Sequence, residues 1–155
     1  MTHEDFMDAA LDEARRALAQ GEVPVGAVVV VNGQIVARAC NQPVGTADPT
    51  AHAEVQALRA AGRALGNYRL TGSILYVTVE PCLMCVGALV HARVAEVVYG
   101  APEPKTGALV SAARALELGG LNHRFAVTGG VREAEARALM QAFFQARRAP
   151  SPGPV

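Results

Sequence analysis

The sequence predicts an α/β domain of three layers, with helices on both faces of one central mixed sheet. Three observations predict it. Strand-like apolar runs alternate with helical patterns in the order helix, hairpin, helix, strand, helix, strand. The chain has 155 residues, which suits a single domain, set at residues 1–149 with a Pro-rich tail at 150–155. Hydrophobic residues make up 51% and charged residues 18%, enough apolar content for a core and too little charge for a disordered chain.

Each element has its own signal. Thr2 with Asp5 reads as a helix start, and Phe6, Ala10, Ala14, Ala17 and Leu18 share one face of a helix ending near Gly21. Val25 to Val31 is a continuous apolar run. Asn32-Gly33 is a hairpin turn, so Gln34 to Cys40 returns antiparallel. Asp48-Pro49-Thr50 reads as a turn that starts a helix over 51–63, and Ser73 to Val79 as a buried strand. A helix over 82–91 and a strand over 94–99 come next, then a Pro-rich loop, Ala101-Pro102-Glu103-Pro104. The pattern then predicts a helix over 111–118, a short strand over 125–128 and a last helix over 133–148.

Composition excludes several classes of function. No run of about 18 apolar residues is present, so no membrane span is expected. Glu4, Asp5 and Asp8 make the N-terminus acidic where a secretory signal would be basic and then apolar. Three cysteines, two of them in a metal motif, leave no disulfide framework and point to a reducing cytoplasm. Formal net charge is zero, so no global basic field advertises nucleic acid. Residues 118–155 depart from that balance, with Arg124, Arg132, Arg137, Arg147 and Arg148 against Glu133 and Glu135.

The chemistry is concentrated in His52-Ala53-Glu54 and Pro81-Cys82-Leu83-Met84-Cys85. His52, Cys82 and Cys85 are zinc-ligand types. A structural zinc site closes with four protein ligands, whereas a catalytic one stops at three and leaves room for water. Bound zinc lowers the pKa of water to about 7, so the remaining task is proton shuttling, which suits Glu54. Pro81 fits the first turn of a helix, on which Cys82 and Cys85 fall three apart on one face. A helix N-terminus also favours thiolates. His52 and Glu54 diverge on a regular helix; both reach the metal region only from a first turn, as one ligand and one non-ligand. A lone C-x-x-C is often structural or redox-active, and a lone H-x-E is common by chance. In this order, with Pro before the first Cys, they form the zinc-deaminase pattern. Cys40 is the internal rival, either a buried small hydrophobe or a fourth ligand that would close the site.

These residues carry a family resemblance. The chain resembles the bacterial tRNA-specific adenosine deaminases, of the cytidine deaminase-like fold, along almost its whole length. The matching stretches are Glu22-Val23-Pro24-Val25-Gly26-Ala27, Asn41, Asp48-Pro49-Thr50-Ala51-His52-Ala53-Glu54 and Tyr76-Val77-Thr78-Val79-Glu80-Pro81-Cys82-Leu83-Met84-Cys85. Lys105-Thr106-Gly107-Ala108, Asn122-His123-Arg124 and Phe143-Phe144 follow, and favour the tRNA branch over the free-base and nucleoside branches. The resemblance implies one Zn2+ per subunit, a homodimer, and hydrolytic conversion of adenosine to inosine at the wobble position of a tRNA anticodon stem-loop. It implies that Asn41 contacts the flipped base, with Val23, Pro24 and the Ala53 backbone lining its pocket. It further implies that Glu103, Lys105, Asn122, Phe143 and Arg147 face the RNA loop. Where family members usually carry Asp, this chain has Glu103, which keeps the charge and changes the reach. Asn41 reads equally as a turn residue, and Phe143 equally as core.

In the mechanism so implied, Glu54 takes a proton from water as the ring carbon bearing the amino group is attacked. It then returns protons to the adjacent ring nitrogen and to departing ammonia. Bases in a loop are already unstacked and cheap to extrude. The rival within enzymes is deamination of a free base or nucleoside, guanine or cytosine and cytidine in particular, which needs a closed pocket and no basic rim. A rival of another class is a non-catalytic zinc-binding interaction domain, which predicts a fourth protein ligand.

Overall fold

The computed structural model describes residues 1–148; the Pro-rich tail expected at 150–155 lies outside the described residues. Its order is α1 (His3–Ala19), β1 (Gly26–Val31), β2 (Gln34–Cys40), α2 (Pro43–Thr46), α3 (Ala53–Leu65), β3 (Ile74–Val79), α4 (Leu83–Ala92), β4 (Glu96–Ala101), β5 (Ala126–Thr128) and α5 (Glu133–Arg148). A single 3-10 turn, Ala115–Glu117, precedes β5. The five strands form one mixed sheet in the order β2-β1-β3-β4-β5. β1 runs antiparallel to both β2 and β3, while β3–β4 and β4–β5 are parallel. The three-layer α/β/α class read from the sequence is the observed one.

The layers follow from strand alternation. Ala27 and Val29 on β1, Leu75 and Val77 on β3, and Val97 and Tyr99 on β4 face α3 and α4 in the larger core. Val28 and Val30, Tyr76, and Val98 face the opposite way, onto Phe6, Met7, Ala10 and Leu11 of α1 and Ala136 of α5. Every central strand is therefore buried on both faces, which explains why 25–31 and 73–79 read as unbroken apolar runs. α1 starts with a capping box in which the Thr2 side chain accepts from Asp5 N–H and Asp5 accepts from Thr2 N–H. The hairpin turn places Asn32 at φ 50° and Gly33 at φ 76°, both left-handed as a type I′ turn requires. At Gly26 a Cβ would stand 2.1 Å from the Ala10 carbonyl oxygen, so glycine lets β1 approach α1.

The helix expected over 111–118 does not form. Leu109, Val110 and Ser111 direct their N–H groups at the buried Glu80 carboxylate, and Ala112 and Ala113 bond back to the Gly107 carbonyl. That fixed acceptor competes with the helical ladder, and only the single turn at Ala115–Glu117 remains. Pro81 is also displaced from the expected position: Cys82 is the N-cap of α4, with extended dihedrals, and Pro81 lies just before it. α2 has no counterpart in the sequence reading. Among the described residues no helix is long and apolar enough to cross a membrane.

A candidate metal centre and its cavity

Two helix N-termini supply the reactive groups. His52 is the N-cap of α3 in extended conformation, and Glu54 is the second residue of that helix. Cys82 caps α4 and Cys85 stands in its first turn, where the Cys82 carbonyl accepts from Val86 N–H. Asp48 sets the approach, its Oδ1 accepting from the Thr50 N–H at 2.8 Å and hydroxyl at 2.7 Å. Because His52 leaves the helix axis at the cap, it and Glu54 approach one point from different sides.

The Sγ atoms of Cys82 and Cys85 each lie 3.5 Å from His52 Nδ1. All three donor atoms lie within 4.8 Å of one another, and among the described residues no other His, Cys, Asp or Glu group forms such a cluster. A tetrahedral zinc with sulfur at about 2.3 Å and nitrogen at about 2.0 Å separates those two ligands by about 3.5 Å. The donor set therefore fits one zinc ion. Cys40 stands apart, fully buried, with its thiol 4.0 Å from Gln20 Oε1. The cluster thus has three protein donors.

Its electrostatics ask for a cation. The Cys82 thiol is held down to about 4, first by a hydrogen bond from Cys85 and then, against the cost of burial, by His52. Cys85 is pushed far up, by its bond to the Cys82 sulfur, by burial and by the Glu54 charge. Two anionic sulfurs this close repel each other, and a divalent ion between them removes that cost. Glu54 is 4% exposed, and its carboxyl is pushed up to about 7, chiefly by burial and secondarily by the Cys82 charge. A carboxyl titrating near neutrality both accepts and returns a proton at little cost.

The cluster opens into a cavity of about 350 Å³ that His52, Glu54 and Cys82 line together with Val23, Asn41, Glu103 and Lys105. Asn41 is 9% exposed; its N–H donates to the Val25 carbonyl and its Oδ1 accepts from Ala53 N–H at 3.2 Å. It therefore fastens the end of β2 to the start of α3 while lining the cavity. The Ala53 N–H is thereby engaged, and Ala53 itself is fully buried. Pro24 is buried between the two lining valines, Val23 and Val25.

The remaining expected contacts lie elsewhere. Asn122 is exposed and borders a separate pocket with His91 and Arg93, whose guanidinium donates to the Asn122 carbonyl. Phe143 is 6% exposed, with the Arg147 guanidinium 4.7 Å from its ring centroid. Both border a smaller adjoining hollow of about 270 Å³ with Val23, Asn41 and Val44.

Sequence reasoning passed over several cavity residues. Val79, Thr106, Met140 and Phe144 line the cavity, and Phe144 is 41% exposed where its neighbour Phe143 is buried. The pair Phe143-Phe144 was visible as a motif, but only the pitch of α5 decides which ring faces inward. Two buried carboxylates also went unread. Glu22 accepts from the N–H groups of Val44 and Gly45, at 3.0 and 2.7 Å, and Glu80 accepts from the 103–111 segment. Both occur inside the quoted motifs, and their near-total burial is what marks them.

Residues 1–101 match the model of the cytidine and deoxycytidylate deaminase zinc-binding region. The chain is 44% identical to a tRNA-specific adenosine deaminase of Bacillus subtilis (strain 168) over 149 residues, 96% of this chain and 92% of that one. A solved structure from work on A-to-I editing by tRNA:A34 deaminases superposes with a TM-score of 0.85 at 44% identity, covering 87% of this chain and 98% of the other. A guanine deaminase structure from Bacillus subtilis superposes with a TM-score of 0.63 at 44% identity, over 66% of each chain. A guanine deaminase structure from Nitrosomonas europaea covers 90% of this chain and 83% of the other, but at 26% identity and a TM-score of 0.75; high identity and near-complete mutual coverage coincide for the tRNA enzymes. The chain belongs to the tRNA-specific adenosine deaminases, zinc enzymes of the cytidine deaminase-like fold.

Proposed function

We propose that this protein hydrolyses adenosine to inosine at the wobble position of a tRNA anticodon loop. The chemistry is carried by three metal donors with the buried Glu54 beside them, facing an open cavity, and the substrate by 44% identity over 96% of the chain to a tRNA-specific adenosine deaminase. His52, Cys82 and Cys85 hold the ion, which when bound supplies a Lewis acid that makes water acidic enough to react near pH 7. Glu54 is the proton carrier. Its carboxylate takes a proton from water, passes it to the ring nitrogen beside the reacting carbon, and serves the departing ammonia in turn. Burial that pushes Glu54 up to about 7 lets it hold the proton between these transfers. Asn41 and Val23 wall the base, and Glu103 and Lys105 face the nucleotide from the opposite loop. Arg147 on α5, stacked over the buried Phe143, and Asn122 beyond the cavity are assigned to the flanking RNA.

The working form in this reading is a homodimer in the cytoplasm. Exposed apolar side chains support the dimer: Leu65 at 45% and Leu83 at 59% exposure, and Tyr68 at 71%, which lines a cleft of about 730 Å³ between α3 and α4. Asn122 lies outside its own subunit's cavity, so it meets RNA that a neighbouring subunit holds. Free cysteines and a tRNA substrate suit the cytoplasm.

The test is direct. Zinc-loaded protein is incubated with an adenosine-containing anticodon stem-loop, and separately with guanine, cytosine and cytidine, and inosine and ammonia are followed. Inosine in the stem-loop with no ammonia from the small substrates is expected. Ammonia from guanine alone would move the assignment to the free-base branch.

A further inference from the structure

Glu80 has no contact with the three zinc donors in the hydrogen-bond network, yet it lies two residues before Cys82 and is 3% exposed. Its Oε2 accepts from the N–H groups of Leu109, Val110 and Ser111, at 3.1, 2.8 and 3.0 Å. Its Oε1 accepts from Glu103 N–H at 3.1 Å and from the Ser111 hydroxyl. Five donors converge on one carboxylate, and four of them are main-chain groups of a single segment, 103–111. Burial raises the carboxyl, but the Ser111 hydroxyl and the N–H groups of Val110, Ser111 and Glu103 outweigh it and hold the group below the usual carboxylate range.

That segment is the cavity wall. Glu103, Lys105 and Thr106 belong to it. Glu103 is positioned twice: its N–H is held by Glu80, and its own Oε1 accepts from Lys105 N–H at 3.0 Å, closing the loop on itself. Gly107 makes the approach possible. A Cβ there would stand 2.4 Å from Glu80 Cδ and 2.5 Å from the Glu103 carbonyl oxygen. Ala108 N–H also donates to the Pro81 carbonyl at 2.8 Å, so the wall is pinned to the residue next to the Cys82 ligand.

We infer that Glu80 is a positioning residue for substrate: its carboxylate fixes the Glu103–Thr106 wall at a set distance from the metal ligands. It acts through the Glu103–Thr106 wall: its carboxylate borders the same cavity, but it is 3% exposed and both its oxygens are taken up by donors of that segment. A segment with no regular secondary structure otherwise has few ways to keep one conformation at a cavity mouth. The inference rests on the proposed stem-loop substrate and deepens that reading.

Glu80→Gln separates the two halves of the clamp. The amide oxygen can keep the three N–H groups at the Oε2 position, while the amide nitrogen then faces Glu103 N–H, donor against donor. The wall loses its Glu103 end and keeps its Ser111 end. Wild-type and variant enzymes are compared for zinc per chain, melting temperature, and kcat and KM on the adenosine stem-loop. The expected result is full zinc, KM raised about tenfold and kcat within about threefold of wild type. Unchanged KM in a folded, zinc-loaded variant overturns the inference, whatever the melting temperature does, because a merely structural role moves the melt alone. Ser111→Ala removes one donor without placing donors face to face, so it remains informative if Glu80→Gln does not fold. It should raise KM about two- to threefold, and unchanged KM there also overturns the inference. Wild-type enzyme that leaves the stem-loop unreacted would instead refute the proposed substrate.

Discussion

Glu54 and the three donors were legible residue by residue because their chemistry is local. The metal motif needs a ligand type at each position and a helix start beneath it, and both can be read from a dozen residues. Glu54 is a non-ligand in this arrangement, with the metal held by His52, Cys82 and Cys85. Glu54→Ala should therefore keep zinc and fold while turnover falls by about 10² to 10⁴, the usual range for one acid–base group, or by more since it serves several transfers. Metal analysis alongside kinetics checks this, and loss of zinc would make Glu54 a ligand. Cys82→Ala leaves two protein donors and should lose the ion, whereas Cys40→Ala should retain it, because the Cys40 thiol faces Gln20. What the sequence hid at this scale were bonds between distant residues. Asn41 pairing with Ala53 N–H, and Glu80 gathering segment 103–111, depend on neighbours up to 31 positions away. No local pattern encodes them.

Elements carried a strong signal where burial is two-sided and a weak one where a side chain captures the backbone. β1 and β3 announce themselves by unbroken valine-rich runs, while 111–118 has helical composition and still fails to form a helix: Glu80 holds the Ser111 N–H, and the Ala112 and Ala113 N–H groups bond back to the Gly107 carbonyl. α1 is fixed to the sheet by its apolar face and by His3, whose Nδ1 lies 2.7 Å from the Tyr76 hydroxyl. Tyr76 is buried, and burial first, then the charges of Glu96 and Glu4, push its hydroxyl up to about 12. The unfolded chain loses this proton near pH 10, so Tyr76 stabilises the fold fully below that value and progressively less up to about 12. Urea melts across pH 9–12 should show wild type losing stability more steeply than Tyr76→Phe; parallel curves would remove Tyr76 as the cause. On α5, Phe143 and Arg147 divide their work. Phe143 is buried, so Phe143→Ala should destabilise by about 3 kcal/mol in the same melts. Arg147 is exposed, and Arg147→Ala should weaken stem-loop binding and flatten the slope of log affinity against log salt by up to about 0.7. An unchanged slope would leave Arg147 packing on Phe143 and meeting no phosphate.

At the scale of the whole molecule, the alternation of helices and strands was enough to give three layers, but strand order was not. β1 lies between β2 and β3 because the hairpin must pair with itself, and the parallel β3–β4–β5 half follows from crossovers through α4 and the segment around the 3-10 turn. That arrangement sets α3 and α4 side by side on one face, with their N-termini converging on the metal and their outer flanks open. The flanks hold Leu65, Tyr68 and Leu83, all more than 40% exposed, which is costly surface for a lone subunit. A second copy covering this face would bury it and would bring the neighbour's Asn122 region within the reach of a bound stem-loop. Sedimentation equilibrium should therefore give twice the chain mass. Tyr68→Glu puts a charge beside the cleft between α3 and α4, away from the metal donors, and should weaken self-association about 30-fold or more, as loss of an aromatic anchor does. The variant should keep one zinc per chain, since His52, Cys82 and Cys85 all come from one subunit. It should also lose affinity for the stem-loop at concentrations where it is monomeric and regain it as concentration rises. A monomeric wild type, or a Tyr68→Glu monomer that binds the stem-loop as tightly as wild type, would mean that one subunit suffices to hold the RNA.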